Sequence, residues 1–189
     1  MNFSILFLAI CAPWVISEVV LLILARSKKN SVDRDEGSIV LLNATIYICV
    51  AVGVILGFLG IGHIRGFASI VPWTGLCFIV FGLIIRWVSI LTLRKYFTTN
   101  VVIQNDHRII KSGIYRFVRH PSYSGSIISF FGLGLVFVNW LSIIILVVPI
   151  TIAFMKRIKI EERALENAFG EEYIVYCKST WLLFLWFKK

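Results

Sequence analysis

Two stretches of this chain gather side chains able to do chemistry. The first runs Gly113-Ile114-Tyr115 and then Arg119-His120-Pro121-Ser122-Tyr123, with Gly125 just beyond. The second begins at Arg157 and continues through Glu161-Glu162. Arg157 and Glu161 stand four residues apart, so on a helix they share one face. A guanidinium is a planar fork that matches a carboxylate in two parallel bonds. A carboxylate beside it can orient that fork or take a proton from an amine. The same residues also admit a plainer reading: a basic juxtamembrane loop, a proline opening a helix, tyrosines at the headgroups and a surface ion pair worth little.

The rest of the chain decides where such groups could meet. Of 189 residues, 59% are hydrophobic and 15% charged, against about a quarter charged in an ordinary soluble domain. That composition excludes a disordered tail and a water-soluble globule, and points to an integral membrane protein. The net charge of +9 fits cytoplasmic loops facing anionic lipid better than a nucleic-acid surface. Cys11, Cys49 and Cys77 lie in apolar stretches and Cys177 stands apart, with no Cys-x-x-Cys pair. A metal site or redox motif is therefore not expected.

A bilayer core takes about 20 apolar residues as helix. Phe3–Ala25, Ile39–Ile61 and Val71–Leu93 supply three such spans. The first lacks the basic start of a signal peptide and reads as retained. Tyr123–Met155 is apolar except near Asn139-Trp140. As one helix it would run about 50 Å, too long for one crossing. A tight hairpin turning at Asn139 makes it spans four and five.

Charge placement agrees with five spans. Arg26, Lys28, Lys29 and Arg34 lie between spans one and two, and only Arg65 between two and three. Arg94, Lys95, Arg108, Lys111, Arg116 and Arg119 follow span three, and Lys156, Arg157, Lys159 and Arg163 follow span five. The basic segments share one face if the N-terminus is outside and the C-terminus cytosolic. A four-span arrangement would divide them.

Val101-Val102-Ile103 and Arg108-Ile109-Ile110 flank Gln104-Asn105-Asp106-His107, which reads as a small hairpin, and Ser112-Gly113 turns the chain toward Tyr115. Arg157–Phe169 continues as helix to a Gly170 cap, and a shorter helix follows over Glu171–Lys178. Trp181–Phe187 with Lys188-Lys189 reads as an interfacial end.

In combination these residues resemble the isoprenylcysteine carboxyl methyltransferases, which overlap in motif with phospholipid N-methyltransferases. The resemblance runs from Arg86-Trp87 through Tyr96-Phe97-Thr98, His107, Gly113-Ile114-Tyr115 and Arg119–Gly125 to Arg157, Glu161-Glu162, Phe169-Gly170-Glu171-Glu172-Tyr173 and Tyr176. It covers roughly the C-terminal half. Members usually carry Gly where Arg94 stands, and often Arg and Pro where Leu182 and Leu185 stand.

The resemblance implies S-adenosylmethionine as methyl donor. It would be held by Gln104, by His107, Arg108, Ile109 and Ile110, by Tyr115, and by His120, Pro121, Ser122 and Tyr123. Arg157 and Glu161 would meet the polar end of a lipid or prenylated small-molecule substrate. Gly132-Leu133-Gly134 lies in a span and lacks the third glycine of soluble dinucleotide folds, so the pocket must form from loop and helix ends. The expected architecture is all-α and integral to the membrane, one domain over 1–189: spans one to three in 1–93, a cytosolic cofactor-binding loop in 94–121, the hairpin in 122–155 and cytosolic C-terminal helices in 156–189.

Three functions stay open: methyl transfer to a lipid-attached carboxylate, N-methylation of phospholipid ethanolamine, and a non-enzymatic membrane protein. Glu18 and Arg86 stand deep in spans one and three. An ionisable group at that depth is costly unless it pairs, snorkels or meets water. Adjacent spans with the two side chains approaching each other is the expectation; independent snorkelling is the alternative.

Overall fold

A computed structural model of the chain describes residues 3–24, 37–65, 69–97 and 108–184. Six α-helices follow one another: α1 Phe3–Leu24, α2 Ser38–Leu59, α3 Val71–Leu93, α4 Pro121–Val136, α5 Trp140–Phe169 and α6 Glu171–Ser179. Single 3₁₀ turns stand at Arg94–Tyr96 and Gly113–Arg116. Among the described residues the only strand-like pairings are the isolated bridges His63 to Asn139 and Val118 to Trp181.

Four helices, α1, α2, α3 and α5, are long and apolar enough to cross a membrane. Their outward residues stay apolar, as Leu41, Ile48 and Phe58 on α2 and Phe81, Ile84 and Leu91 on α3 illustrate, which suits lipid rather than water. α4 has 16 residues, about 24 Å of rise against a hydrocarbon core of about 30 Å. The hairpin expected at Asn139 is present: α4 and α5 are joined there, and the Asn139 side chain caps α5 by accepting from Leu141 N and Ser142 N. Its amide also donates to the carbonyls of Leu56 (3.0 Å) and Ile61 (2.7 Å). That side chain is 1% exposed, so it satisfies the end of α2 while starting α5.

α3 and α4 run antiparallel with their backbones in close contact. Gly75 faces Gly132 and Gly82 faces Gly125, in reciprocal pairs seven residues apart on each helix. A Cβ on Gly75 would sit 2.6 Å from the Gly132 carbonyl oxygen. Small residues let the backbones meet, which is how helices gain packing where lipid offers no hydrophobic drive. Ser129 Oγ donates to the Ile79 carbonyl across the same seam (3.3 Å). α2 lies on α5, where Ser142 Oγ donates to the Gly53 carbonyl (2.9 Å). Ile79, Leu146 and Ile150 form the fully buried centre.

α5 runs without a break from the hairpin to Gly170, so its last three turns carry the chemistry-bearing residues out of the apolar bundle. Gly170, at φ 54°, lets α6 fold back alongside. The chain end, expected to be interfacial over Trp181–Phe187, also packs on the protein itself. Residues 181–184 form a strap over the entry to α4: Arg119 N donates to Trp181 O (2.8 Å), His120 N to Leu182 O (3.2 Å) and Trp181 N to Phe117 O (2.8 Å). Backbone N–H groups ahead of a buried helix start need partners, and this segment provides them, burying Leu183 to 2%. Residues 185–189 lie outside the described residues.

Candidate active site

Where α5 leaves the bundle, a cavity of about 260 Å³ opens between α1, α2, α3, α4, α5 and α6. Its upper end is polar. Arg108, Tyr115, His120, Arg157, Glu161 and Tyr173 line it. Deeper in the bundle its walls are Leu42, Ile46, Phe130 and Phe154, with Glu18, Arg86 and Ser126 facing in beside them.

Tyr123 stands at the junction. Pro121 opens α4 at its first position, where its missing N–H costs nothing, and Tyr123 follows on the first turn. Its hydroxyl accepts from Arg157 Nε (3.1 Å) and donates to Glu161 Oε2 (2.9 Å). The four-residue spacing on α5 thus joins Arg157 and Glu161 through a phenol on another helix. Arg157 also donates from Nη1 to Ser38 Oγ at the start of α2 (2.9 Å) and is 3% exposed. The Tyr123 ring packs between His120, with centroids 5.8 Å apart, and Phe154, at 5.0 Å.

A second cluster supports the first. Glu162 accepts from Arg119 Nε (2.8 Å), with His120 Nε2 at 3.4 Å and the Tyr173 hydroxyl at 3.5 Å. Arg119 Nη1 donates to the carbonyls of Cys177 (2.7 Å) and Thr180 (3.1 Å), satisfying orphan carbonyls at the end of α6. Tyr176 donates to the Tyr115 carbonyl (2.7 Å). Burial pushes the hydroxyls of Tyr115, Tyr173 and Tyr176 well above the ordinary phenol range, reinforced by the Glu161 carboxylate at Tyr115 and the Glu162 carboxylate at Tyr173. All three therefore stay neutral around the cavity, as donors rather than anions.

A third cluster comes from the N-terminal half. Arg86 on α3 donates to both carboxylate oxygens of Glu18 on α1, from Nε and Nη2, each at 2.6 Å. Its Nη1 reaches Ser122 Oγ (3.1 Å) and Ser126 Oγ (2.9 Å) on α4. Glu18 and Arg86 both line the cavity.

Of the residues singled out by sequence, Arg108, Ile109, Ile110, Tyr115, His120, Ser122, Tyr123, Arg157 and Glu161 share this one cavity. Pro121 is fully buried behind its wall and serves to start α4. Gln104 and His107, with the expected hairpin turn, lie outside the described residues. Sequence reasoning did not single out Glu162 and Arg119 as a buried pair, nor Ser38, Asn43 and Tyr176 as site neighbours. Adjacent glutamates on a helix commonly face solvent, and it is the return of α6 that encloses Glu162. Among the described residues no group of three or more His, Cys, Asp or Glu is placed to hold a metal ion.

Residues 74–167 match the model of the isoprenylcysteine carboxyl methyltransferase (ICMT) family. Protein-S-isoprenylcysteine O-methyltransferase B of Arabidopsis thaliana is 35% identical over 106 residues, covering 55% of this chain and 54% of that protein. The probable protein-S-isoprenylcysteine O-methyltransferase of Oryza sativa subsp. japonica is 34% identical over 110 residues, covering 57% and 58%. The chain spans about half the length of the curated relatives it matches. The solved structure of the eukaryotic intramembrane Ras methyltransferase ICMT superposes with a TM-score of 0.65 at 26% identity, over 72% of this chain and 50% of that one. Four apolar helices and an intramembrane structural neighbour make this an integral membrane protein. The matched segment runs from the first turn of α3 to the last turn of α5 and holds Arg86, the Arg119–Tyr123 run and the Arg157–Glu162 run, so over this segment the chain matches the isoprenylcysteine carboxyl methyltransferase family.

Proposed function

We propose that this protein transfers a methyl group from S-adenosylmethionine to the carboxylate of an isoprenylcysteine-like lipid at the cytosolic membrane face. The observation that carries the reading is the Arg157–Tyr123–Glu161 chain of hydrogen bonds, set where the polar end of the cavity meets its apolar limb. An amphiphile with a charged head and a hydrocarbon tail matches that division.

The residues present fit the donor. Tyr115, Tyr123 and His120 offer aromatic faces for an adenine and for a sulfonium, and Glu161 offers an acceptor for an ammonium. When bound, S-adenosylmethionine supplies an electrophilic methyl on sulfur. Tyr115, His120, Ser122, Tyr123 and the segment Arg108–Ile110 would hold it, and Gln104 and His107 remain part of the proposal.

An ionised carboxylate acceptor needs no general base; it needs desolvation, charge compensation and alignment. Arg157 compensates its charge and Tyr123 fixes the guanidinium plane. Glu161, through Tyr123, holds the phenol proton on the far side, so the phenol oxygen faces Arg157. Alignment of this kind is worth about 7–11 kcal/mol in favourable intramolecular cases. The hydrocarbon tail would lie in the apolar limb, which reaches the lipid-facing surface at Tyr47, a cavity residue that is 64% exposed.

In the membrane, we place the α4–α5 hairpin as a fourth and fifth crossing, N-terminus outside and C-terminus cytosolic. The loop after α2 pairs with the hairpin turn, Ile64 N to Val138 O at 2.8 Å and Trp140 N to Gly62 O at 3.1 Å. Both connections thus share the end opposite the cavity, and both are poor in basic residues.

The test is incubation of the purified protein with methyl-labelled S-adenosylmethionine and two acceptors, S-farnesylcysteine with a blocked amine and phosphatidylethanolamine. The reading expects base-labile label on the farnesylcysteine. Base-stable label on the phospholipid would instead select the amine reading, with Glu161 as proton acceptor.

A further inference from the structure

One turn below Tyr123 the cavity wall is polar on four helices at one depth. Arg86 of α3 reaches Ser126 Oγ of α4 (2.9 Å) and holds Glu18 of α1 with its other two nitrogens. Asn43 of α2 completes the level. α2 and α5 run antiparallel, with Ser38 bonded to Arg157 and Gly53 to Ser142, fifteen residues on along each helix. α4 and α5 do the same, with Tyr123 against Phe154 and Gly134 against Ile143, eleven residues on. These registers set Asn43 at the level of Ile152 and Ser126 at the level of Thr151. Glu18, Asn43, Arg86 and Ser126 all line the cavity.

Three of the four are partnered among themselves and with Ser122. Arg86 binds both Glu18 oxygens and the hydroxyls of Ser122 and Ser126, and Ser126 donates to the Ser122 carbonyl (3.2 Å). Asn43 is different. It stands with Ile39, Leu42, Ile46 and Tyr47 on the cavity face of α2, and among the described residues nothing bonds its carboxamide. That group offers two N–H donors and a carbonyl acceptor. A carboxamide in a membrane-spanning helix ordinarily bonds across to a neighbouring helix, because an unmade bond in apolar surroundings is costly. Aimed instead into a cavity beside Arg157, it has its partner in a ligand.

We propose that Asn43 binds an amide of the methyl acceptor, and so makes this protein selective for an N-acylated, peptide-like isoprenylcysteine over lipid acids that lack the amide. The inference rests on the proposed methyl-transfer reading and deepens it by naming a second group the acceptor carries. Asn43 lies five residues from Ser38, about 7.5 Å by helix rise, and Ser38 Oγ is 2.9 Å from Arg157 Nη1. A carboxylate on Arg157, an acyl amide about 4 Å further along the acceptor and a hydrogen bond of about 2.9 Å at each end span that interval. A carboxamide meets an amide in both directions, N–H to carbonyl and carbonyl to N–H, which neither a thioether nor a hydrocarbon can return. Beyond this level the lining continues past Ile46 and Phe130 and out to the exposed Tyr47, which leaves the prenyl tail a way to the lipid.

The experiment measures binding and methyl transfer for two acceptors that share the farnesyl thioether and the carboxylate: N-acetyl-S-farnesylcysteine, and S-farnesylthiopropionic acid, which has no amide. It compares the wild type with Asn43→Leu and Asn43→Ala, neither of which adds a charge or an unmatched polar group to the span. The wild type should favour the amide-bearing acceptor. Each variant should cut that preference by about tenfold in relative Kd and in relative kcat/KM, the worth of the paired bonds. An equal preference in the wild type and both variants overturns the assignment and leaves the methyl-transfer reading standing. A wild type that binds the two acceptors alike, or binds neither, also overturns it. A preference lost from binding in the variants, with no methyl transferred by any of the three proteins, supports Asn43 and counts against the methyl-transfer reading alone.

Discussion

Arg86 and Glu18 meet in a two-pronged ion pair, both carboxylate oxygens 2.6 Å from guanidinium nitrogens, on helices separated by most of the N-terminal half of the chain. Two charges deep in separate spans are costly alone and cheaper together, so direct pairing, rather than independent snorkelling, is what the structure adopts. The pair ties α1 to α3, and Arg86 extends it to Ser122 and Ser126 on α4.

Removing one partner leaves the other charge without compensation. The Arg86 side chain is 13% exposed and that of Glu18 34%, so the loss should fall below that of a fully buried pair, at about 1–3 kcal/mol. Glu18→Gln and Arg86→Gln should each lower the thermal midpoint, and the double substitution should cost less than the sum. Strict additivity in that cycle would contradict the coupling.

The α3–α4 seam has no room for a side chain. A Cβ on Gly125 would lie 2.5 Å from the Gly82 carbonyl oxygen and 2.8 Å from Arg86 N, both backbone atoms. Gly125→Ala should abolish recovery of folded protein by size-exclusion chromatography. Gly57→Ala, whose Cβ would meet only the Phe137 side chain at 3.2 Å, should be recovered nearly as the wild type.

Arg94, which ends α3, adopts φ 51°, ψ −120°. That region is nearly reserved for glycine. Arg94→Gly should stabilise by about 1 kcal/mol, raising the thermal midpoint by about 2–4 °C for a chain of this size. An unchanged or lowered midpoint would show the conformation to be unstrained.

Much of this was legible in the residues because single side chains dictate local geometry. Asn139 between two apolar runs marked a turn, Pro121 a helix start, and Gly170 a helix end. The Glu162–Arg119 pair was not legible, since adjacent glutamates on a helix carry no mark of burial until α6 returns over them. The strap at residues 181–184 was hidden for the same reason: its task is to satisfy backbone groups of a segment more than sixty residues earlier, and no side-chain pattern records that. Arg86 was legible as a depth problem, and its partner followed from the same argument at Glu18.

Burial and the Glu162 carboxylate hold the Tyr173 hydroxyl above the ordinary phenol range. Its folded pKa exceeds its unfolded one, so the stability it contributes is present in full below about pH 10 and is lost as pH rises above that. The thermal midpoint should fall above about pH 10, and less steeply in Tyr173→Phe. An equal alkaline fall in both proteins would assign the loss elsewhere.

The proposed function requires Arg157 to face the acceptor. The decisive measurement sets methyl transfer to S-farnesylcysteine beside S-adenosylhomocysteine affinity in Arg157→Ala and Arg157→Lys. Turnover should fall by about a hundredfold or more in both while the Kd stays within about threefold of wild type, because a loss confined to the transferring complex leaves ligand affinity in place and an ammonium cannot replace the planar fork. Near-wild-type turnover in Arg157→Ala would contradict the account and leave Arg157 a juxtamembrane anchor between Tyr123 and Ser38.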